Sequence, residues 1–296
     1  MPKIKRNDPA PLVQTGKPVL YDQDLDPAPV RAARTPKPKR SGVGYTVALA
    51  FFALVFVASA GALLSRLWQD KQTESEFTQL ESLIAEPSTE TVSVETTVDN
   101  ATRFAPLVAR NPDFVGWIKI EGTNLSFPVM YSPDRPDFYL RHDFSQEYSN
   151  YGTPYLDEDC TLTADAQSNN LVIYGHNMKT GTIFGCLTDY KKASMYEEHP
   201  TIRLDTLYGG GDYEVYAAFA IDVVQDTSFP YNTFLDMDEA TFNEFVAETK
   251  RRSDVDSGIT PSYGDQLLTL STCEYSSANG RYVVCARLAQ DAGGAG

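Results

Sequence analysis

Between residues 117 and 288 the apolar positions fall in eight short runs, each bounded by Gly, Asn, Asp or Pro. They are Trp117–Ile120, Phe127–Tyr131, Thr153–Leu156, Asn170–Tyr174, Thr201–Asp205, Tyr213–Val223, Gln266–Thr272 and Arg281–Leu288. Runs of this length, rich in Val, Ile, Leu, Tyr and Phe and punctuated by turn residues, predict strands; a series of them predicts a sandwich or barrel rather than parallel βαβ units. Helical spacing interrupts the series at Met237–Arg252, where Phe242, Phe245 and Val246 form an i, i+3, i+4 face. Asp238 or Thr241 could cap that helix, and Lys250, Arg251 and Arg252 suit its C-terminal end. A helix between strands six and seven is expected to wall one side of a groove at the barrel edge. Thr182–Tyr190 reads as one short helical turn, and Phe104, Leu107, Val108 and Phe114 as a short helix interrupted at Pro112.

The pattern upstream is different. No charged residue occurs from Ser41 to Ser65, and the apolar core around Val47–Val57 is long enough to cross a bilayer as a helix of roughly 20 residues. It begins too far from the N-terminus for a cleaved signal peptide. Arg31, Arg34, Lys37, Lys39 and Arg40 precede it closely, while only Arg66 and Lys71 follow, which predicts a cytoplasmic N-terminus and an exported remainder. Phe77, Leu80, Leu83 and Ile84 form a weak amphipathic stripe, and Glu86–Thr97 is rich in Pro, Ser, Thr and Glu. The expected organisation is a disordered cytoplasmic tail (1–42), a transmembrane helix (43–65), an extracellular stalk (66–101), a folded domain (102–289) and a flexible C-terminal tail (290–296).

Charge narrows the partners. Residues 1–42 carry a net +5, so the chain's net −15 leaves −20 on residues 43–296. An exported part this acidic lacks the basic footprint that nucleic acid requires. The run Asp157-Glu158-Asp159, with Asp165 beyond it, lacks the ligand spacing of a calcium loop and reads as a solvated turn. No metal and no cofactor are expected.

Three side chains carry candidate chemistry. Cys273 ends an apolar run within Leu270-Ser271-Thr272-Cys273-Glu274-Tyr275, whose polar flanks suit a strand end open to solvent. A thiol attacks only as thiolate and needs a base or cation nearby. His176 in Tyr174-Gly175-His176-Asn177 also sits at a strand end, whereas His199 reads as exposed loop and His142 as part of a polar network with Arg141 and Asp143. Arg281 starts the last strand, a hairpin away from Cys273, where its fork of donors could hold an oxyanion. Cys285 lies inside an apolar run and is expected to pack. A nucleophilic Cys273 must stay free, which leaves Cys160, Cys186 and Cys285, and the sequence leaves one bridge among these three open.

Thr269-Leu270-Ser271-Thr272-Cys273 with Arg281, and Tyr174-Gly175-His176-Asn177-Met178, resemble the sortase family, more narrowly its class B. Asn111–Ile118, Phe127-Pro128-Val129 and Tyr139–Phe144 are similar to the same class, as is the helix between strands six and seven, and the likeness covers roughly residues 102–289. The resemblance implies a mainly β fold, an eight-stranded barrel with short peripheral helices. It implies a membrane-tethered cysteine transpeptidase of a Gram-positive bacterium that cleaves a Pro-x-Thr-type sorting signal of secreted proteins after threonine. The acyl group then passes to an amine of a peptidoglycan precursor.

Carried over, Cys273 is the nucleophile, His176 the acid and base, and Arg281 the oxyanion stabiliser. The backbone N–H of Glu274 is a second oxyanion donor, and Ser271 and Tyr231 line the substrate groove. A pilin polymerase with a lysine acceptor, a hydrolytic cysteine peptidase and an idle wall-associated scaffold are the alternatives. The first lacks an Asp-Pro lid before the first strand, and the papain-like order of cysteine before histidine is reversed here.

Overall fold

A computed structural model describes residues 42–84 and 99–290. The tail over 1–41, the whole Pro/Ser/Thr/Glu-rich stretch Glu86–Thr97 and the last residues from 291 lie outside them. The chain divides into two units, Met1–Ala60 and Gly61–Gly296. In the first, helix α1 begins; it spans Val43–Glu81, and its segment Gly44–Gly61 is long and apolar enough to cross a membrane, with mean hydropathy 1.9 and none of it buried.

In the second unit the end of α1 lies on the folded domain. Phe77 and Leu80 are buried, Phe77 packs edge-on against Phe127 at 4.9 Å, and Ser126 Oγ donates to Glu81 Oε1 at 2.8 Å. Ile84 packs against the same core and only Leu83 of the four stays exposed, so most of the amphipathic stripe of the expected stalk serves as a docking face. Helix α2, Asn100–Arg110, starts at Asp99, whose carboxylate accepts from the Ala101 N–H, and buries Phe104 and Leu107. It ends before Pro112 and tolerates Pro106 in its interior.

All eight expected strands form: β1 Phe114–Lys119, β2 Ser126–Met130, β3 Tyr155–Leu156, β4 Asn170–Tyr174, β5 Thr201–Thr206, β6 Gly209–Asp222, β7 Leu267–Glu274 and β8 Gly280–Leu288. They close into a barrel in the order β1-β2-β3-β4-β7-β8-β6-β5. Closure removes the free edges that an open sheet would expose. β6 starts four residues before the expected Tyr213 because Gly209-Gly210-Gly211 continue the pairing with β5. The short helix α3, Ala193–Glu198, leads into β5.

Two pairings set the site. β4 runs parallel to β7, from Asn170↔Leu267 to Tyr174↔Ser271, and β8 runs antiparallel to β7 on its other side. A parallel pair needs a long crossover; here it contains α3, β5, β6 and helix α4, Glu239–Arg252. Asp238 caps α4, accepting from the Thr241 N–H at 2.9 Å.

Strand alternation then divides the core in two. Leu268, Leu270, Tyr282, Val284 and Ala286 face the barrel interior. Leu267, Val283 and Cys285 face outward into a second cluster built with Phe242, Phe245 and Val246 of α4. Burying each phenylalanine stabilises the contact by roughly 1.5–3 kcal/mol. Three outward residues of β7 and β8 are thus buried in the cluster that α4 helps to build, while the end where both strands turn is left partly exposed.

Candidate active site

Cys273 lies at that end. It is on the outward face of β7 with Ser271, one residue from the strand terminus, and is partly exposed. Its cross-strand partner is Arg281, the second residue of β8. Directly paired residues on one face hold their Cβ atoms about 4.5–5.5 Å apart, so the hairpin sets the Cys273 and Arg281 side chains next to each other. Arg281 Nη1 donates to the Gly280 carbonyl at 3.0 Å.

The parallel ladder brings His176 to the other side. Beyond Tyr174↔Ser271, the Gly175 N–H donates to Ser271 O at 3.1 Å, and Thr272 Oγ1 donates to Gly175 O at 2.7 Å. The two strand ends run on side by side past the last paired residues, and Asn177, next to His176 in the chain, donates its Nδ2 hydrogen to the Cys273 carbonyl at 2.8 Å. Gly175 is obligatory in this turn, because a Cβ there would stand 2.7 Å from the Phe184 ring. The imidazole Nε2 of His176 lies 2.7 Å from the Leu140 carbonyl. A carbonyl only accepts, so Nε2 carries the hydrogen and Nδ1 is the free nitrogen of the neutral ring. Burial lowers the His176 pKa below its usual 6.5; the Leu140 hydrogen bond opposes this, and the charge of Arg141 adds to it.

The secondary candidates are placed differently from one another. Ser271 and Tyr231 are buried, and their hydroxyls share a hydrogen bond of 2.7 Å beneath the site. Burial raises the Tyr231 phenol above its ordinary value despite that bond and the nearby charge of Arg281. The Glu274 side chain turns away to Lys191 Nζ at 2.8 Å and to Ser276. Burial alone would push its carboxyl up, and these partners together hold it below the usual range.

The other cysteines and histidines have structural explanations. All four cysteines are free. Burial pushes the Cys160 and Cys285 thiols up to about 12 and that of Cys186 to about 11, which makes them poor nucleophiles. Cys285 packs in the cluster under α4, as expected. His142 stacks on Phe138 at 3.8 Å with its Nδ1 2.7 Å from the Phe138 carbonyl. His199, expected in an exposed loop, is instead largely covered and lies against Gly122, leaving 17% of its side chain exposed. Asp157, expected in a solvated turn, is in a turn but buried there: it accepts from the Asp159 N–H and from the Tyr174 hydroxyl. Among the described residues no group of three or more His, Cys, Asp or Glu is placed to hold a metal ion.

Several partners of the three central residues had no signal in the sequence. The Leu140 carbonyl is 36 residues from His176, and Asn177 is 96 residues from Cys273. Tyr275, whose hydroxyl donates to the Asn177 carbonyl at 2.9 Å, is 98 residues from it. Only Asn177 could have been singled out, as the neighbour of His176.

The comparisons agree with this architecture. The family model of the sortase domain matches residues 118–289. Sortase B of Staphylococcus aureus is 35% identical over 188 residues, covering 63% of this chain and 74% of the relative. Sortase B of Listeria monocytogenes is 27% identical over 239 residues, 79% of this chain and 92% of the relative. The solved Staphylococcus aureus sortase B–substrate complex superposes with a TM-score of 0.65 at 30% identity, over 76% of this chain and 99% of that one. With its eight-stranded closed barrel and these relatives, the chain belongs to the sortase family of cysteine transpeptidases, in class B.

Proposed function

We propose that this protein is a membrane-anchored transpeptidase that cleaves the C-terminal sorting signal of secreted proteins after threonine and joins them to an amine of a cell-wall precursor. The observation that carries the reading is the register of β4, β7 and β8, which gathers His176, Cys273 and Arg281 at one barrel end. The apolar segment Gly44–Gly61 supports the anchor. The excess of Lys and Arg before it supports a cytoplasmic N-terminus with the barrel outside the cell membrane. The organisation into tail, span, stalk, barrel and short C-terminal tail is part of the same proposal.

In the first half-reaction the Cys273 thiol gives its proton to Nδ1 of His176, and the thiolate attacks the threonine carbonyl carbon. The carbonyl π pair moves onto oxygen, where the Arg281 guanidinium holds it; the backbone N–H of Glu274, which faces Gly280 in the ladder, joins as second donor once it leaves that strand. As the tetrahedral intermediate collapses the C–N bond breaks, and His176 returns its proton to the leaving amine. In the second half-reaction the incoming amine gives a proton to His176 and attacks the thioester; the C–S bond breaks and Cys273 departs. Thiolate and imidazolium need not dominate the resting enzyme, since a minority pair can carry turnover. Ser271 and Tyr231 support the groove floor from below.

The test uses the full chain in detergent, a library of quenched peptides bearing Pro-x-Thr motifs, and mass spectrometry with and without an added amine. The expected result is an acyl adduct on Cys273 that transfers to the amine. Product that is the same with or without amine points to hydrolysis, and no adduct from any peptide on a titratable Cys273 points to an idle domain.

The lowered His176 pKa has a measurable consequence. The acid limb of kcat/KM is expected below pH 6.5, where the imidazole gains its proton. Between the lowered value and 6.5 the unfolded chain binds more protons than the folded one. Stability therefore rises with pH through that window and is lost as pH falls through it. The difference in Tm between pH 5 and pH 7 should shrink in His176→Gln, and an unchanged difference would refute the assignment.

A further inference from the structure

Thr272 stands next to the nucleophile in the chain, yet its hydroxyl is bonded to the strand that leads to the base. Along β7 it alternates with Cys273 and shares a side with Leu268 and Leu270, and it is buried at 2% exposure. An apolar residue would fill that position equally well, and a buried hydroxyl is costly unless it is hydrogen-bonded. Its Oγ1 donates to the Gly175 carbonyl at 2.7 Å.

Gly175 is thereby gripped at both polar atoms of its backbone by consecutive residues of β7. Its N–H donates to the Ser271 carbonyl at 3.1 Å, and its carbonyl accepts from Thr272. The paired residues of the parallel ladder end at Tyr174 and Ser271, so at this point a side chain carries the connection between the strands onward. Glycine restricts its own dihedrals less than any other residue, so the direction of the chain here has to be fixed by bonds to its peptide groups. The Gly175 carbonyl lies in the same planar unit as the His176 N–H, and its direction sets how the chain enters His176. On the other side of that residue the His176 carbonyl accepts from the Phe184 N–H at 3.0 Å, and the ring is held at the Leu140 carbonyl.

We infer that Thr272 is a positioning residue whose hydroxyl locks the Gly175–His176 peptide to β7 and so fixes where His176 stands relative to Cys273. The inference rests on the transpeptidase reading above. Thr272 and Cys273 lie on opposite faces of β7, so Thr272 touches neither substrate nor sulfur in this scheme. It acts through the backbone of the base. Proton transfer in both half-reactions therefore depends on it, while binding of the sorting signal does not.

The test compares wild type, Thr272→Val, Thr272→Ser and His176→Gln as full chains in detergent, using the Pro-x-Thr peptide that the wild type cleaves fastest. Valine keeps the shape without the donor, and serine keeps the donor without the methyl. A displaced base is expected to lower kcat for acylation between about tenfold and a hundredfold in Thr272→Val, with KM within about twofold. Thr272→Ser should recover most of that loss. The second readout needs no substrate: the rate of Cys273 alkylation by iodoacetamide across pH, mapped by mass spectrometry. Thr272→Val should move this profile toward that of His176→Gln, and Thr272→Ser should return it to the wild-type curve. A residue that only packs would not move it. Should Thr272→Val not fold, Thr272→Ala takes its place and is judged by the same outcomes.

A kcat within about twofold of wild type in Thr272→Val overturns the inference. So does a Thr272→Ser variant as slow as Thr272→Val, which would assign the effect to the methyl group. A lowered kcat with alkylation still on the wild-type curve overturns it as well. If the wild type accepts no acyl group from any peptide, the transpeptidase reading fails. Alkylation then decides Thr272 alone: a profile shifted in Thr272→Val and restored in Thr272→Ser supports the clamp, and an unshifted one overturns it.

Discussion

Cys273→Ala is expected to abolish acyl-enzyme formation, lowering turnover by on the order of 10⁴-fold or more, to the detection limit of a mass-spectrometric assay. No other thiol can substitute. Cys160 and Cys285 are buried with pKa values pushed up to about 12, and Cys285 faces the cluster under α4 rather than the open strand end. Cys285→Ala should therefore leave acylation largely intact while lowering stability modestly, since it removes only a packed sulfur. Retained adduct formation in Cys273→Ala, mapped to any residue, would refute the assignment of the nucleophile.

Arg281 carries the second large effect. Arg281→Ala should lower kcat by about 10²–10³-fold, which corresponds to about 3–4 kcal/mol of transition-state stabilisation. Arg281→Lys should recover little of it. Lysine keeps the charge but offers a compact ammonium in place of a planar fork of donors, and its reach from a directly paired strand position differs. The Gly280 carbonyl that now accepts from Arg281 is a resting partner, so substrate must take over that donor; apo hydrogen bonds of this kind commonly tighten only in the reacting complex. Full activity in Arg281→Lys would show that charge alone suffices and that the fork has no role.

Much of the fold is legible in the sequence. The strands are legible because each is a short apolar run cut off by turn residues, as Leu267–Leu270 is in β7, where both faces are buried. Helix α4 is legible from its period of 3.6, with Asp238 as its cap. The boundary of β6 was misread because three consecutive glycines carry no side-chain pattern, though their backbones pair with β5 well enough. The stripe Phe77 and Leu80 was legible as an amphipathic face, but what it faces was not.

The sequence by itself determined the element types, the apolar segment before the barrel, the charge asymmetry around it, and which three reactive side chains stand at strand ends. Tertiary structure alone decided that β4 lies parallel to β7 across the long crossover, and therefore that the strand end before His176 lies beside the one that carries Cys273. It alone decided that the Leu140 carbonyl selects the imidazole tautomer, that Ser271 and Tyr231 lie under the site, and that Asn177 grips the nucleophile's carbonyl. The reason is physical. Periodicity and capping are local, satisfied within a few residues, and leave a trace in neighbouring letters. Strand pairing and hydrogen bonds between residues 36 to 98 positions apart are chosen by closure of the whole barrel, which no short window of sequence contains.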